Sequence, residues 1–364
     1  MHEISEVKQQ RAVIVGVDND LERLAPSLDE LELLAKTADI EVVSRLTQRL
    51  DRPHSATYIG KGKLEELVAL TDMHDPDLVI FNSELSTAQM RNLSDAFDIP
   101  IIDRTLLILD IFAQGAKTAE GRIQVEIAQL KYRLSRLSGM GKMLSRLGGG
   151  IGTRGPGETK LETDRRHIAG RITNLEAKLK EIAKNRDNMR RKREKNQAFI
   201  AAFVGYTNAG KSSLMNMLSD EDLLAQDKLF ATLDTTTRKL ELKTRRDVLI
   251  SDTVGFIERL PHHLVEAFKT TLDELRYADM LIHVVDMANP EQQRHVEVVE
   301  STLQELAVDV PTLLVLNKSD KVGHDDASPP PTSARAFKTI KTSAKTGQGK
   351  DELLSAIKGR ANHG

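Results

Sequence analysis

Cysteine and tryptophan are both absent from the 364 residues, and aromatic residues make up only 4% of them. Without cysteine there is no disulfide framework, no thiol chemistry and no thiolate-held metal. A reducing cytoplasmic compartment is compatible with that absence. Long apolar runs are missing too. Leu106-Leu107-Ile108-Leu109 is among the longest, far short of the roughly 20 apolar residues a membrane-crossing helix needs. The first ten residues, MHEISEVKQQ, show no basic region followed by an apolar core, so no secretory signal is expected. What is present, 40% hydrophobic and 29% charged residues, excludes collagen-like and globally disordered chains. At about 150 residues per domain, the length suggests two or three domains.

The net charge of −2 conceals an uneven distribution. Residues 1–119 hold 12 Lys and Arg against 21 Asp and Glu, whereas residues 120–197 hold 20 against 9. Residues 198–364 return to an acidic balance, 20 against 24. A basic block between two acidic ones suggests a polyanionic partner, either nucleic acid or a membrane surface. A solvated long helix is the plain alternative.

Periodicity separates the same three regions. In residues 1–119, AVIVGV (12–17), IEVV (40–43), DLVIF (77–81) and IPIID (99–103) read as strands. The stretches 28–38, 63–73 and 87–97 carry helical spacing between them. That alternation predicts a small parallel α/β domain. In residues 120–197, Ile123, Ile127, Leu130, Leu134 and Leu137 step by four and three. Leu161, Ile168, Ile172, Leu175, Leu179, Ile182 and Met189 resume a heptad-like stripe. Between them, residues 139–157 hold eight of the 22 glycines. The expectation is an antiparallel helical hairpin with a glycine-rich loop over 138–160 and a second helix about 50 Å long. Residues 198–364 alternate again, with strands at 198–205, 248–252, 280–286, 312–317 and 337–343 and an exposed loop at 325–334. This predicts a doubly wound α/β domain.

The chemistry concentrates in that last region. Gly205-Tyr206-Thr207-Asn208-Ala209-Gly210-Lys211-Ser212 follows an apolar strand and opens a helix, fitting the phosphate-binding pattern G-x-x-x-x-G-K-[ST]. Its backbone N–H groups and the helix N-terminus suit phosphate oxygens. Lys211 is placed to reach the β- and γ-phosphates, and the Ser212 hydroxyl to ligate Mg²⁺. Asp252-Thr253-Val254-Gly255 ends another strand, with a carboxylate for the ion and a glycine N–H for the γ-phosphate. Asn317-Lys318-Ser319-Asp320 closes a third. One carboxylate, Asp320, can accept both guanine N1–H and N2–H, a pair that adenine lacks. Ser343-Ala344-Lys345 follows the last strand, where its backbone suits the guanine O6 atom.

These four elements in order resemble the translation-factor-related P-loop GTPases over residues 198–360. The resemblance implies GTP and GDP as ligands and Mg²⁺ as cofactor. It also implies a switch segment at Phe230-Ala231-Thr232-Leu233-Asp234, in which Thr232 ligates the ion beside Ser212. Many such GTPases place a water-orienting glutamine directly after the DxxG glycine; here that position is Phe256. No catalytic residue is assigned, with Lys211 and Gly255 as supporting groups. Slow intrinsic hydrolysis, accelerated by a macromolecular partner, is expected. His262 and His263 read as helix-cap or surface residues.

TYIGKGKLEEL (57–67), GRIQVEIAQLKYRLSRL (121–137), GIGTRGPGETKLETDRR (150–166) and DTVGFIERLPHHLVEAFKTTLDE (252–274) resemble the HflX family. That resemblance implies an N-terminal α/β domain (1–119), a basic helical hairpin (120–197) and a GTPase domain (198–364). It further implies a cytoplasmic enzyme that binds the large ribosomal subunit and splits stalled or stress-arrested ribosomes. Lys142, Arg146, Arg154 and Lys160 are candidates to meet ribosomal RNA phosphates. With Tyr132 the one aromatic in 120–197, base stacking is not the main expectation. Two alternatives stand beside this reading: a GTP-switched assembly or hibernation factor, and an RNA remodeller with ATPase activity in the N-domain. Gly60-Lys61-Gly62-Lys63 invites the latter, although a glycine turn starting a helix explains it adequately. Peripheral membrane association is compatible with the basic block. A monomer is expected because the two stripes can satisfy each other. Some family members carry a further C-terminal domain, and none is expected here.

Overall fold

Ala12, Val13, Ile14 and Val15 are all fully buried, so strand β1 (Gln10–Asp18) has lost the alternation of a half-exposed strand. Burial on both faces is the signature of a central parallel strand covered by helices. The computed structural model bears this out. It describes residues 9–147, 156–195, 198–219, 229–230, 236–258, 272–322 and 329–363. Two compact units emerge: Met1–Gln114 with Val125–Glu176, and Gly115–Gln124 with Ala177–Gly364.

The first unit contains a four-stranded parallel sheet of order β2-β1-β3-β4, with β2 at Ile40–Arg49, β3 at Leu78–Phe81 and β4 at Ile101–Asp103. Helix α1 (Leu21–Thr37) starts seven residues earlier than its apolar spacing suggests. Asp20 caps it by accepting from the Glu22 and Arg23 N–H groups, and the helix carries Pro26 inside it, where one backbone donor is simply missing. Helix α2 (Lys61–His74) is entered through Gly60, and α3 (Thr87–Ser94) through a Ser86–Gln89 capping box. A further helix, α4 (Arg104–Gly115), takes up the apolar run 106–109, which the strand-and-helix alternation leaves unassigned.

Two long helices follow, α5 (Ala119–Leu147) and α6 (Pro156–Lys195). At 40 residues, α6 is about 60 Å long, exceeding the expected 50 Å. Helix also replaces loop over 138–147 and 156–160, so only 148–155 of the expected 138–160 loop is left outside the described residues. Ile172 and Leu175 of the α6 stripe are buried among exposed neighbours. On α5 the buried set is wider than one seam and adds Val125, Ala128 and Tyr132. Ion pairs Arg171–Glu126 (2.9 Å) and Lys131–Glu176 (3.2 Å) link the two helices within this unit.

Tyr132 is buried for a reason that the stripe does not show. The Asp103 carboxylate, fully buried at the end of β4, accepts from four donors. These are the Leu85 N–H (3.1 Å), the Leu106 N–H (2.9 Å), the Tyr132 hydroxyl (3.0 Å) and the Arg136 guanidinium (2.6 Å). Arg136 also lies 4.3 Å over the Tyr132 ring. A buried carboxylate persists only when its lone pairs are met this fully. The node fastens α5 to the carboxyl end of the sheet.

The second unit carries a six-stranded sheet of order β10-β9-β8-β5-β7-β6. Its strands are β5 (Phe199–Gly205), β6 (Thr236–Leu240), β7 (Val248–Asp252), β8 (Met280–Asp286), β9 (Thr312–Asn317) and β10 (Ala336–Lys341). All pairings are parallel except β6 with β7. Helices α7 (Lys211–Ser219), α8 (Gln292–Glu305) and α9 (Lys350–His363) accompany it. One core joins β5, β7, β8 and β9 to α7 and α9; a second joins Val285 on β8 and Leu314 and Leu316 on β9 to Val296 on α8. Helices on both faces of a mostly parallel sheet make this a doubly wound domain, whose ligands sit at the carboxyl ends of the strands. Among the described residues, no helix is long and apolar enough to cross a membrane.

Candidate functional site

Four of those strand ends, β5, β7, β8 and β9, meet around the turn that follows β5. Gly205 (φ 154°) lies so close to β8 that a Cβ there would stand 2.3 Å from the Val284 carbonyl oxygen. Gly210 (φ 93°) is equally constrained, its would-be Cβ lying 2.3 Å from the Asn317 Nδ2 atom. Asn208 takes the left-handed conformation as well (φ 58°), a residue type that tolerates it. The loop thus turns tightly over the sheet edge and delivers Lys211 at the first turn of α7. The Lys211 Nζ donates to the carbonyls of Gly205 (3.1 Å) and Tyr206 (2.9 Å). Burial pulls its pKa down to about 8, with the nearby Asp252 carboxylate opposing.

Ser212 and Asp252 are brought side by side, the Ser212 hydroxyl donating to the Asp252 Oδ2 atom at 2.6 Å. Two hard oxygen donors beside a phosphate loop suit Mg²⁺, which takes one or two protein oxygens, phosphate oxygens and water. Thr253 turns inward, its hydroxyl donating to the Phe203 carbonyl (2.7 Å), Val254 is buried, and Gly255 approaches the loop so closely that a Cβ would stand 2.9 Å from the Thr207 Cα. Phe256 is buried and joined to the loop by a parallel bridge with Tyr206. Of the residues expected to form the switch segment, Phe230 is buried with φ 56°. Ala231, Thr232, Leu233 and Asp234 lie outside the described residues, as do His262, His263 and Arg154. The side chains of Lys142, Arg146 and Lys160 also fall outside them.

On the opposite side, Asn317 bridges two loops. Its Nδ2 donates to the Ala209 carbonyl (3.0 Å), and its Oδ1 accepts from the Ala344 N–H (3.1 Å) and the Thr342 hydroxyl (3.4 Å). Lys318, in the left-handed conformation, pairs with Asp286 at the end of β8 (2.7 Å). Ser319 bonds Gln348 (3.0 Å). Asp320 is exposed and oriented by the Ser343 hydroxyl (2.6 Å), which holds its carboxyl below the usual carboxylate range, Lys345 and Lys321 adding to the effect. An ionised, oriented, acceptor-only group is what two adjacent base N–H donors require.

Several neighbours of these residues carry no motif. Asp286, Thr342 and Gln348 support the base-side loops. Tyr206 stacks on His295 of α8, and Glu258 pairs with Arg294. His283 on β8 is buried, and its two ring nitrogens meet no hydrogen-bond partner among the described residues; burial, then Lys211, pushes its pKa down to about 3. In the first unit, Gly60 begins α2 and its N–H donates to the Gln48 side chain (2.8 Å), while Lys63 pairs with Glu66. The segment 60–63 is therefore a helix-starting turn with its own partners.

A strand, a phosphate-type loop, a helix and base-side loops on a doubly wound sheet define the P-loop GTPase class. Three family descriptions match in register: "GTP-binding GTPase N-terminal" over 25–113, "GTP-binding GTPase Middle Region" over 115–193 and "50S ribosome-binding GTPase" over 200–318. GTPase HflX of Caldanaerobacter subterraneus subsp. tengcongensis is 51% identical over 358 residues, covering 98% of this chain and 82% of that one. GTPase HflX of Escherichia coli K12 is 41% identical over 360 residues, covering 96% and 82%. The chain belongs to the HflX family of GTPases. Among solved structures, SsGBP in complex with GDP is similar at a TM-score of 0.52 and 25% identity, covering 96% of this chain and 98% of that one.

Proposed function

We propose that this GTPase binds GTP with Mg²⁺ at the β5–α7 loop, docks on the large ribosomal subunit and dissociates stalled or stress-arrested ribosomes. The convergence of Lys211, Ser212, Asp252, Asn317 and Asp320 at the strand ends carries the nucleotide part. Residues 205–212 cradle the phosphates, 252–255 sense the terminal one, and Asn317 with 343–345 holds Asp320 against the guanine edge. Phe230 to Asp234 form the switch segment, in which Thr232 joins Ser212 on the ion. Bound Mg²⁺ supplies charge neutralisation between the β- and γ-phosphates.

The ribosomal part rests on the "50S ribosome-binding GTPase" description matched by residues 200–318 and on the long helical pair. Residues 120–197 carry 20 basic against 9 acidic side chains, and most of the segment lies on helices of 29 and 40 residues. That shape and charge suit an RNA cleft read through phosphates, with Lys142, Arg146, Arg154 and Lys160 near its tip. Tyr132 is spent on Asp103, in keeping with phosphate contact rather than base stacking. Residues 1–119, 120–197 and 198–364 serve as N-terminal domain, hairpin and GTPase domain of a cytoplasmic, ribosome-associated protein. Because the Phe256 side chain can neither donate nor accept, the water-orienting group comes from elsewhere, and the ribosome accelerates hydrolysis.

The test is GTP hydrolysis by the purified protein with and without large subunits, with ATP as control, followed by sedimentation of intact ribosomes after incubation. Stimulation specific to GTP, together with separated subunits, supports the reading. Stimulation that leaves ribosomes intact favours the GTP-switched assembly or hibernation factor. Absence of stimulation sinks the ribosomal part altogether.

A further inference from the structure

Tyr206, second residue of the phosphate loop, is engaged on three sides. Its peptide neighbours bind the residue after the DxxG glycine: the Phe256 N–H donates to the Gly205 carbonyl (3.1 Å), and the Thr207 N–H to the Phe256 carbonyl (2.7 Å). Its hydroxyl oxygen accepts from the Glu258 N–H at 2.8 Å. Its ring lies flat on the His295 imidazole, with centroids 3.7 Å apart and planes 5° from parallel. The Glu258 carboxylate is gripped by both arms of the Arg294 guanidinium, at 3.0 Å through Nε and 2.5 Å through the terminal nitrogen. Consecutive residues of α8 therefore hold the phosphate loop through Tyr206 and the DxxG exit through Glu258.

This fastening has a steric consequence. A Cβ on Gly255 would lie 2.9 Å from the Thr207 Cα and 3.0 Å from the Lys211 Nζ. The DxxG glycine is thus packed directly on the loop and on the lysine ammonium, and that ammonium is committed to the Gly205 and Tyr206 carbonyls. A γ-phosphate oxygen that accepts from both the Gly255 N–H and Lys211 has to stand between them, about 2.8 Å from each donor. On the reading proposed below, segment 255–258 moves off the loop to admit that oxygen. A diphosphate, lacking that oxygen, requires no such movement.

We propose that Tyr206, Glu258, Arg294 and His295 are specificity-determining residues that latch segment 255–258 onto the phosphate loop and so set the affinity of the site for guanosine triphosphate relative to diphosphate. The proposal rests on reading residues 205–212 and 252–255 as the GTP site. A latch lowers the apparent affinity of any ligand that must open it, and leaves untouched a ligand that need not. Arg294 and Glu258 are part-exposed, with side chains 40% and 29% accessible, so the pair contributes modestly. Releasing it is expected to change the ratio about two- to fivefold.

The experiment titrates the full chain, with Mg²⁺ present, against GDP and against a non-hydrolysable GTP analogue. Arg294→Ala and Glu258→Gln are each expected to tighten the analogue two- to fivefold, on that same estimate, with GDP binding unchanged. Joining Glu258→Arg to Arg294→Glu is expected to return the wild-type ratio, which a merely structural role would not do. Tyr206→Phe, keeping the stack and deleting only the acceptor of the Glu258 N–H, moves the ratio in the same direction. Equal shifts for both nucleotides, weaker analogue binding, or a charge swap that restores nothing overturns the latch. Failure of the wild-type chain to bind either nucleotide instead removes the GTP-site reading beneath it.

Discussion

Asn317 reaches across 108 residues of sequence to donate its side-chain amide to the Ala209 carbonyl at 3.0 Å. Its other end accepts the Ala344 N–H, so one buried amide holds the phosphate loop and the base-side loop in register. Asn317→Ala leaves that donor and that acceptor unmet, at about 1–3 kcal/mol for a buried group. GTP and GDP affinity should both fall about tenfold or more by the same arithmetic, measured with a fluorescent guanine nucleotide. Unchanged affinity for both would exclude the role.

Asp320 is oriented by Ser343 at 2.6 Å and stands ionised and exposed. An asparagine there presents an N–H₂ where guanine also presents one. Asp320→Asn should weaken guanosine nucleotides and favour xanthosine nucleotides, whose C2 carbonyl accepts what the amide donates. Competition between the two bases at equal concentration checks it; an unaltered preference for guanine refutes it.

The buried Asp103 node predicts a stability effect in the other unit. Asp103→Asn strips the charge that faces Arg136 and leaves a guanidinium in a buried setting with its ion pair gone. The cost of breaking such a pair is about 3–5 kcal/mol. Tyr132→Phe, which removes one hydrogen bond of the four, should cost about 1 kcal/mol. Denaturant unfolding of both variants tests the ranking, and a larger loss for Tyr132→Phe contradicts it.

Acid should destabilise the fold through one buried and one half-buried histidine. Burial depresses His283 to about 3 and His295 to about 4, from 6.5. Between those values the unfolded chain holds a proton at each site and the folded chain does not. Their contribution is fully present above about pH 6.5 and is lost as the pH falls towards 4 and 3, by up to about 1.4 kcal/mol per pH unit per histidine. Thermal midpoints of wild type, His283→Leu and His295→Phe from pH 7 to 4 should show a flatter acid limb in both variants. Parallel limbs in all three would refute the assignment.

Much of the architecture was legible because it is local. Apolar strands flanked by helical spacing, and a glycine-rich loop ending in Lys211-Ser212, are constraints among neighbours, and α6 shows its stripe at Ile172 and Leu175 as its periodicity implies. Where local signals misled, the cause is physical. The apolar spacing suggested a helix from residue 28, which the Asp20 cap starts earlier, and the glycines at 139 and 141 suggested loop where α5 continues.

The sequence by itself determined the order of strands and helices, the nucleotide-type motifs at their ends and the family, since each is written in residue type and spacing. Tertiary structure alone decided which distant side chains complete them. Asp103 meets Tyr132 and Arg136 across 29 and 33 residues, and Glu258 meets Arg294 across 36. An ion pair or a stacked ring leaves no period in the chain. Its energy depends on a separation and a burial that exist only once the sheets and helices have packed.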